Sequence, residues 1–218
     1  MISAYFRAFG QLLDPRIVRL VGYSAAIAIA VFLALWAGVA WLQTSTTITE
    51  WTAVEWLVDI LGGVATLVVT YFLFPIVMSA TVGLFLEPVA RAVESKHYSQ
   101  SAAPKGLPIF GALIATFRFL LKALLVNAVL LVFLLFPVVY PFAWIAGNAY
   151  LLSREYFELI ALRHVDARTA RDLRQRNGPS LLLGGVVAAG LFAVPAVNLL
   201  APVVVTMAMV HAFHRWRA

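Results

Sequence analysis

Charged residues are absent from four long stretches of the chain, and their spacing sets the outline of the fold. Leu20 to Leu42 runs for 23 residues, Ile60 to Leu86 for 27, Ala123 to Ser153 for 31, and Asn177 to Phe213 for 37 with His211 counted as neutral. A helix needs about 20 apolar residues to cross a hydrocarbon core of about 30 Å. The first two stretches therefore predict full spans over about 20–42 and 60–86, the second kinked at Pro75.

The last two stretches are interrupted. "PVVYP" (Pro137 to Pro141) breaks the third and "PAVNLLAP" (Pro195 to Pro202) the fourth. Each proline removes a helical hydrogen bond and disfavours helix at the residue before it, so a close pair marks a turn. The arm before Pro137 has 14 residues. At about 1.5 Å per residue that is roughly 21 Å, too short to cross. The pattern predicts two hairpins, about 123–153 and 181–213, that enter the membrane part-way and return.

The basic residues bear on the same question. All 16 Lys and Arg lie in the N-terminal segment, in 87–122, in 154–176 or in the tail. The segment Gln43 to Asp59 holds Glu50, Glu55 and Asp59 and no base. A single crossing by the third stretch would set two base-rich segments on opposite sides, against the positive-inside bias. Two returning hairpins put every base on one face. The expected fold is an all-α integral membrane protein, a single membrane domain over residues 1–218. It has two full transmembrane helices, two re-entrant half-penetrating hairpins and an N-terminal amphipathic helix, with both termini cytoplasmic. Irregular backbone at membrane depth must be shielded by protein or water, which points to a homo-oligomer or a lined cavity.

The N-terminal segment carries Ile2, Tyr5, Phe6, Phe9, Leu12 and Leu13 on one helical face, with Ser3, Arg7 and Gln11 on the other. That suits a helix lying in the membrane interface. Asp14 and Pro15 read as N-cap and first residue of the next helix. Trp36, Trp41, Trp51 and Trp56 bracket the acidic loop like an aromatic belt.

Composition agrees with this outline. The chain is 63% hydrophobic and 12% charged, with a mean hydropathy of +0.93, whereas soluble domains hold about a quarter charged residues. Having no cysteine, it has no disulfide, thiolate metal site or cysteine nucleophile. A cleavable signal peptide is not expected, because the first apolar run is too long for one. The net charge of +6 comes from bases that flank apolar runs, which speaks for lipid contact and against nucleic acid.

Four features are candidates for chemistry, each with an ordinary alternative. "DPRIVRL" (Asp14 to Leu20) offers a helix N-terminus with Arg16 and Arg19 beside it, an arrangement suited to an oxyanion. The alternative is a capped helix whose arginines snorkel to headgroups, and Asp14 repels a dianion. Arg168, Arg171 and Arg174, at i+3 spacing, would concentrate anions at a pore mouth or touch anionic lipid. Tyr140, Asn148 and Asn198 sit near the hairpin breaks, as polar pore-lining groups or as turn and interhelix hydrogen bonders; Asn127 is of the same kind. Gly147, Gly184, Gly185 and Gly190 read as sites of close helix packing. His211 and His214 are three apart, but no third ligand is visible, so an interfacial tail is the favoured reading and no metal or cofactor is expected. No nucleophile–base motif, phosphate loop or dinucleotide loop is present, so an enzyme is not expected.

Four segments together carry a family resemblance: "FRAFGQLLDPRIVRLV", "LFPIVMSATVGLFLEPVARAVE", "FPVVYPFAWIAGNAYLLSREYFELIALRH" and "VPAVNLLAPVVVTMAMVH". In order and spacing they resemble the CysZ-type sulfate permeases of bacteria and the wider etoposide-induced membrane protein family. The resemblance implies two long spanning helices, two pairs of half-penetrating helices and a multimer. It also implies sulfate uptake across the inner membrane for cysteine synthesis. That family associates an oxyanion site with a Gly-Leu-Arg-Arg-like sequence after a proline. Here Pro15 keeps the proline, Arg16 stands in place of the glycine, Ile17 keeps the aliphatic residue, Val18 replaces the first arginine and Arg19 keeps the second. The sulfate-binding set carried over is thus Arg19, Arg16 and Ile17.

Sulfate moving inward against an inside-negative potential of about 100 mV costs roughly 4.6 kcal/mol for its two charges. The apolar stretches hold no acid to couple protons, so the expected route is channel-like. A non-transporting scaffold or regulator is the alternative from another class, and an intramembrane lipid-handling enzyme a third. The remaining expected partners are membrane lipid and further copies of the chain.

Overall fold

The computed structural model describes residues 1–45, 84–100 and 109–217. All described regular structure is helical: α1 (Ile2–Gln11), α2 (Pro15–Ser45), α3 (84–97), α4 (Ile109–Phe133), α5 (Tyr140–His164), α6 (Ala167–Arg176), α7 (Gly178–Ala193), α8 (Pro195–Asn198) and α9 (Ala201–Arg217). The expected second span, its Pro75 kink, the acidic loop with Trp51 and Trp56, and Lys105 lie outside the described residues. The chain divides into two compact units, Met1–Ile17 with Leu86–Ala218, and Val18–Phe85.

From Val18 on, α2 lies in the smaller unit and exposes many large apolar side chains, among them Tyr23, Ile29, Leu33 and Trp41, while Ser24 and Ala28 are buried. Pro15–Gly38, 24 residues, is among the described residues the one helix long and apolar enough to cross a membrane. At about 1.5 Å per residue it measures roughly 36 Å, more than the hydrocarbon core. Its start is the one the sequence predicts: the Arg16 N–H donates to Asp14 Oδ1 at 2.9 Å, with Pro15 as the first helical residue.

The larger unit is built around α5, which packs against α4, α7 and α9. Glycine sets the closest approach. A Cβ at Gly185 would collide with the backbone carbonyl of Ala149, so α5 and α7 meet there with no side chain between them. Gly147 faces the side chains of Val126 and Leu130 of α4, and Gly184 the flexible Met1 side chain. Gly190 departs from expectation: a Cβ there would meet no described residue within 4 Å, so no close approach depends on it.

Both proline breaks are present. Turns over 134–139 separate α4 from α5, with Pro141 in the first turn of α5. Extended backbone at Val194, the single turn of α8 and the turn at 199–200 separate α7 from α9. The arms differ from the apolar runs in length. The first arm begins at Ile109, so the helix continues through Arg118 and Lys122 well before the apolar run starts. Charge ends an apolar stretch without ending a helix, because Arg and Lys are good helix formers. Likewise α5 runs on to His164 and α9 to Arg217.

The amphipathic helix α1 also differs in detail. It docks on α9, burying Ala4, Tyr5 and Ala8, while Ile2, Phe6, Phe9 and Leu13 stay exposed. The Tyr5 hydroxyl donates to the Gly184 carbonyl at 2.7 Å. Tyr5 therefore belongs to the protein-facing side and not to the outward apolar stripe.

Candidate functional site

The helix N-terminus expected to meet an anion already holds one. Asp14 caps α2 and accepts from Lys96 Nζ of α3. The Lys96 hydrogen bond, the Arg16 backbone N–H and the two side-chain charges outweigh desolvation and hold the Asp14 carboxyl below its ordinary value. Arg16 reaches Ser95 Oγ at 3.4 Å and leaves its guanidinium exposed. The Ile17 side chain is buried, and Arg19 is exposed one helical turn on. Gln11, Asp14, Arg16, Ile17, Val93 and Lys96 line a shallow cleft. The Arg16 and Lys96 side chains stand beside the Asp14 carboxylate in this cleft.

The polar residues near the breaks are not gathered into one site. Tyr140 opens α5 half-buried, and Asn198 is exposed at the end of α8. Asn148 donates to its own helix at Trp144 O (2.9 Å), as Asn127 does to Ala123 O (2.8 Å). On α6, capped by Asp166, Arg168 and Arg171 are exposed, whereas Arg174 turns toward Glu158 (3.9 Å), which pairs with Arg154 at 2.9 Å.

A different constellation lies among α1, α3, α5 and α9. Glu94 of α3 is buried and accepts from Arg163 Nη1 at 3.0 Å and from His164 Nε2 at 2.9 Å, both at the end of α5. His214 Nε2 of α9 stands 4.0 Å from the same carboxylate oxygen. Burial raises the Glu94 carboxyl. The imidazoles of His214 and His164 and the charge of Arg163 outweigh it and keep the group below its ordinary value. Tyr98 links this set to the rest: its ring stacks on His214 at 4.1 Å, and its hydroxyl meets His211 Nδ1 at 2.8 Å. The Gln11 amide nitrogen then bridges His211 Nε2 (2.9 Å) and His97 Nε2 (3.1 Å). An amide nitrogen only donates, so His211 accepts at Nε2 and carries its proton on Nδ1, toward Tyr98.

All four histidines of the chain thus lie in one polar seam. The seam is not self-satisfied. Arg163 Nε and Nη2 and His164 Nδ1 are buried without a hydrogen-bond partner among the described residues. His211 and His214, expected on an interfacial tail, are buried core residues, with side-chain exposure at His214 of only 5%. Sequence spacing hid their partners, because Glu94 and His164 lie far away along the chain. The available signal was Glu94 with His97 and Tyr98 at i+3 and i+4, one face of a helix carrying three polar groups.

A family model described as Sulfate transporter CysZ/Etoposide-induced protein 2.4 matches residues 4–202. No curated protein matches the chain. The match takes in α1, the capped start of α2, both proline breaks and the Glu94, Arg163 and His164 cluster, nearly the whole chain. The chain therefore belongs to the Sulfate transporter CysZ/Etoposide-induced protein 2.4 family, a family of membrane proteins.

Proposed function

We propose that this protein carries sulfate across the bacterial inner membrane through a multimeric, channel-like permease, supplying sulfate for cysteine synthesis. The family match over residues 4–202 carries this reading. In it the protein is a transporter and not an enzyme, and Arg19 and Arg16 are the first contacts of the anion. The capped N-terminus beside Ile17 is the platform that holds them.

Side-chain pairing supports a one-sided arrangement of the basic segments. Lys96 pairs with Asp14, Arg163 with Glu94, and Arg215 with Ser3. These contacts join the N-terminus, the segment 87–122, the segment 154–176 and the tail. A stretch that leaves from one of these segments and comes back to another returns to its own side. The charge-free part of the arm before the first break, 123–136, has 14 residues, and α7 has 16. Fourteen residues reach about 21 Å, which suits hairpins that penetrate half the bilayer.

The test is labelled-sulfate uptake into proteoliposomes held without an opposing potential. Uptake above protein-free vesicles is expected. Arg19→Ala should lower it roughly tenfold or more, since hydrogen bonds to charged groups contribute about 1.5–3 kcal/mol. No uptake by the wild-type protein would overturn the proposal and favour a non-transporting scaffold.

A further inference from the structure

We propose that Glu94, His164 and His214 form a binding site for a divalent transition metal of the zinc class, which clamps α3, α5 and α9 together. This inference is independent of sulfate transport. The three residues come from three helices, and their ligand atoms all lie within 4.8 Å of one another. The side chains are 10%, 2% and 5% exposed, respectively.

The geometry fits a small ion. Zinc binds nitrogen and carboxylate oxygen at about 2.0–2.2 Å, so donors on a tetrahedron stand roughly 3.3 Å apart. The separations from Glu94 Oε1 are 2.9 Å to His164 Nε2 and 4.0 Å to His214 Nε2, and the three ligand atoms lie within 4.8 Å of one another, so binding draws the His214 ring inward. Two imidazoles and one carboxylate select zinc, cobalt or nickel over magnesium or calcium, which prefer all-oxygen shells. Three protein ligands leave a fourth position open.

The surrounding groups set the terms of binding. Ligation at His164 Nε2 needs that atom's lone pair, so the proton it now donates to Glu94 moves to Nδ1, which has no other hydrogen-bond partner among the described residues. Arg163 holds the same carboxylate and competes with the ion. Its Nε and Nη2 lack acceptors among the described residues, and water or an anion at the fourth metal position supplies one. Tyr98, stacked on His214, fixes that ring's plane. His97 and His211 stay outside the set, tied to Gln11.

The experiment uses the full chain without a polyhistidine tag, in detergent and sulfate-free buffer, stripped with chelator. Cobalt(II) is titrated and followed by its visible absorption, then displaced with zinc. One ion per chain is expected, with affinity lowered roughly tenfold or more in His164→Asn and in His214→Asn. His97→Asn should bind as wild type does. Zinc should also raise the melting temperature of the wild-type protein by about 4 °C or more, reversed by chelator. Absence of saturable binding or of this rise in the wild type overturns the proposal, whether or not the variants fold. Equal binding by folded His164→Asn and His214→Asn overturns it as well, because the ion then sits elsewhere.

Discussion

Two ends of the larger unit follow opposite rules. At the seam of α1, α3, α5 and α9, charged and polar side chains are buried or half-buried and meet one another: Glu94 with Arg163 and His164, Tyr98 with His211 and His214. At the turn between α4 and α5, large apolar side chains stand uncovered. Leu135 is 77% exposed and Val138 is 81% exposed. A chain folding alone in water would reverse both choices, since burying charge costs free energy and exposing such a patch invites association. The difference shows where the chain's own contacts suffice and where another medium completes the fold. In the proposed arrangement that medium is lipid or a second protomer at the hairpin tips.

The sharpest way to break the polar end is to remove one charge. Arg163→Met leaves Glu94 buried without the Arg163 guanidinium, and should cost about 3–5 kcal/mol in denaturant unfolding of the solubilised protein. Adding Glu94→Leu should recover most of that loss; an unrecovered double variant would mean that Arg163 acts through packing alone. The apolar end fails differently. Val138→Asp should cost about 2.5–3.5 kcal/mol if the turn lies near the bilayer centre, seen as a lower membrane-inserted fraction. In detergent its melting temperature should change little, since the side chain is largely exposed in the folded chain.

Between the two ends, α5 and α7 meet at Gly185. Gly185→Ala sets a methyl against the Ala149 carbonyl and should destabilise by about 1–3 kcal/mol. Gly190→Ala, in open space, should be neutral or gain up to about 1 kcal/mol of helix propensity. Equal losses in the two variants would refute the close approach.

The smallest effect is on acid stability. The folded Glu94 carboxyl binds its proton less readily than it does in the unfolded chain. Its contribution is therefore present above the ordinary carboxylate value and is lost as pH falls through the lower folded value. Melting curves taken from roughly pH 3 to 7 should fall at the acid end for the wild type and less steeply for Glu94→Gln.

What the sequence made legible was local. Asp14 and Pro15 announce the start of α2 because a cap and a fixed φ act within one turn, and each proline pair marks its break for the same reason. Gly147, Gly184 and Gly185 point to close packing, although Gly190 carries the same signal without the contact. The polar seam was not legible. Glu94, His164 and His214 come together only when α3, α5 and α9 pack, and no spacing rule records that. The helix start at Ile109 was not legible, because a run of charge-free residues traces the expected lipid contact and not the helix.

Side-specific labelling of single cysteines tests the central claim most directly, and the chain brings no cysteine of its own to interfere. Ser99→Cys and Arg168→Cys flank the α4–α5 hairpin, and Val138→Cys marks its tip. With a membrane-impermeant maleimide, Ser99→Cys and Arg168→Cys should react only from the cytoplasmic side and Val138→Cys from neither. Labelling of Ser99→Cys and Arg168→Cys from opposite sides, or of Val138→Cys from outside, would contradict a hairpin that enters half the membrane and returns.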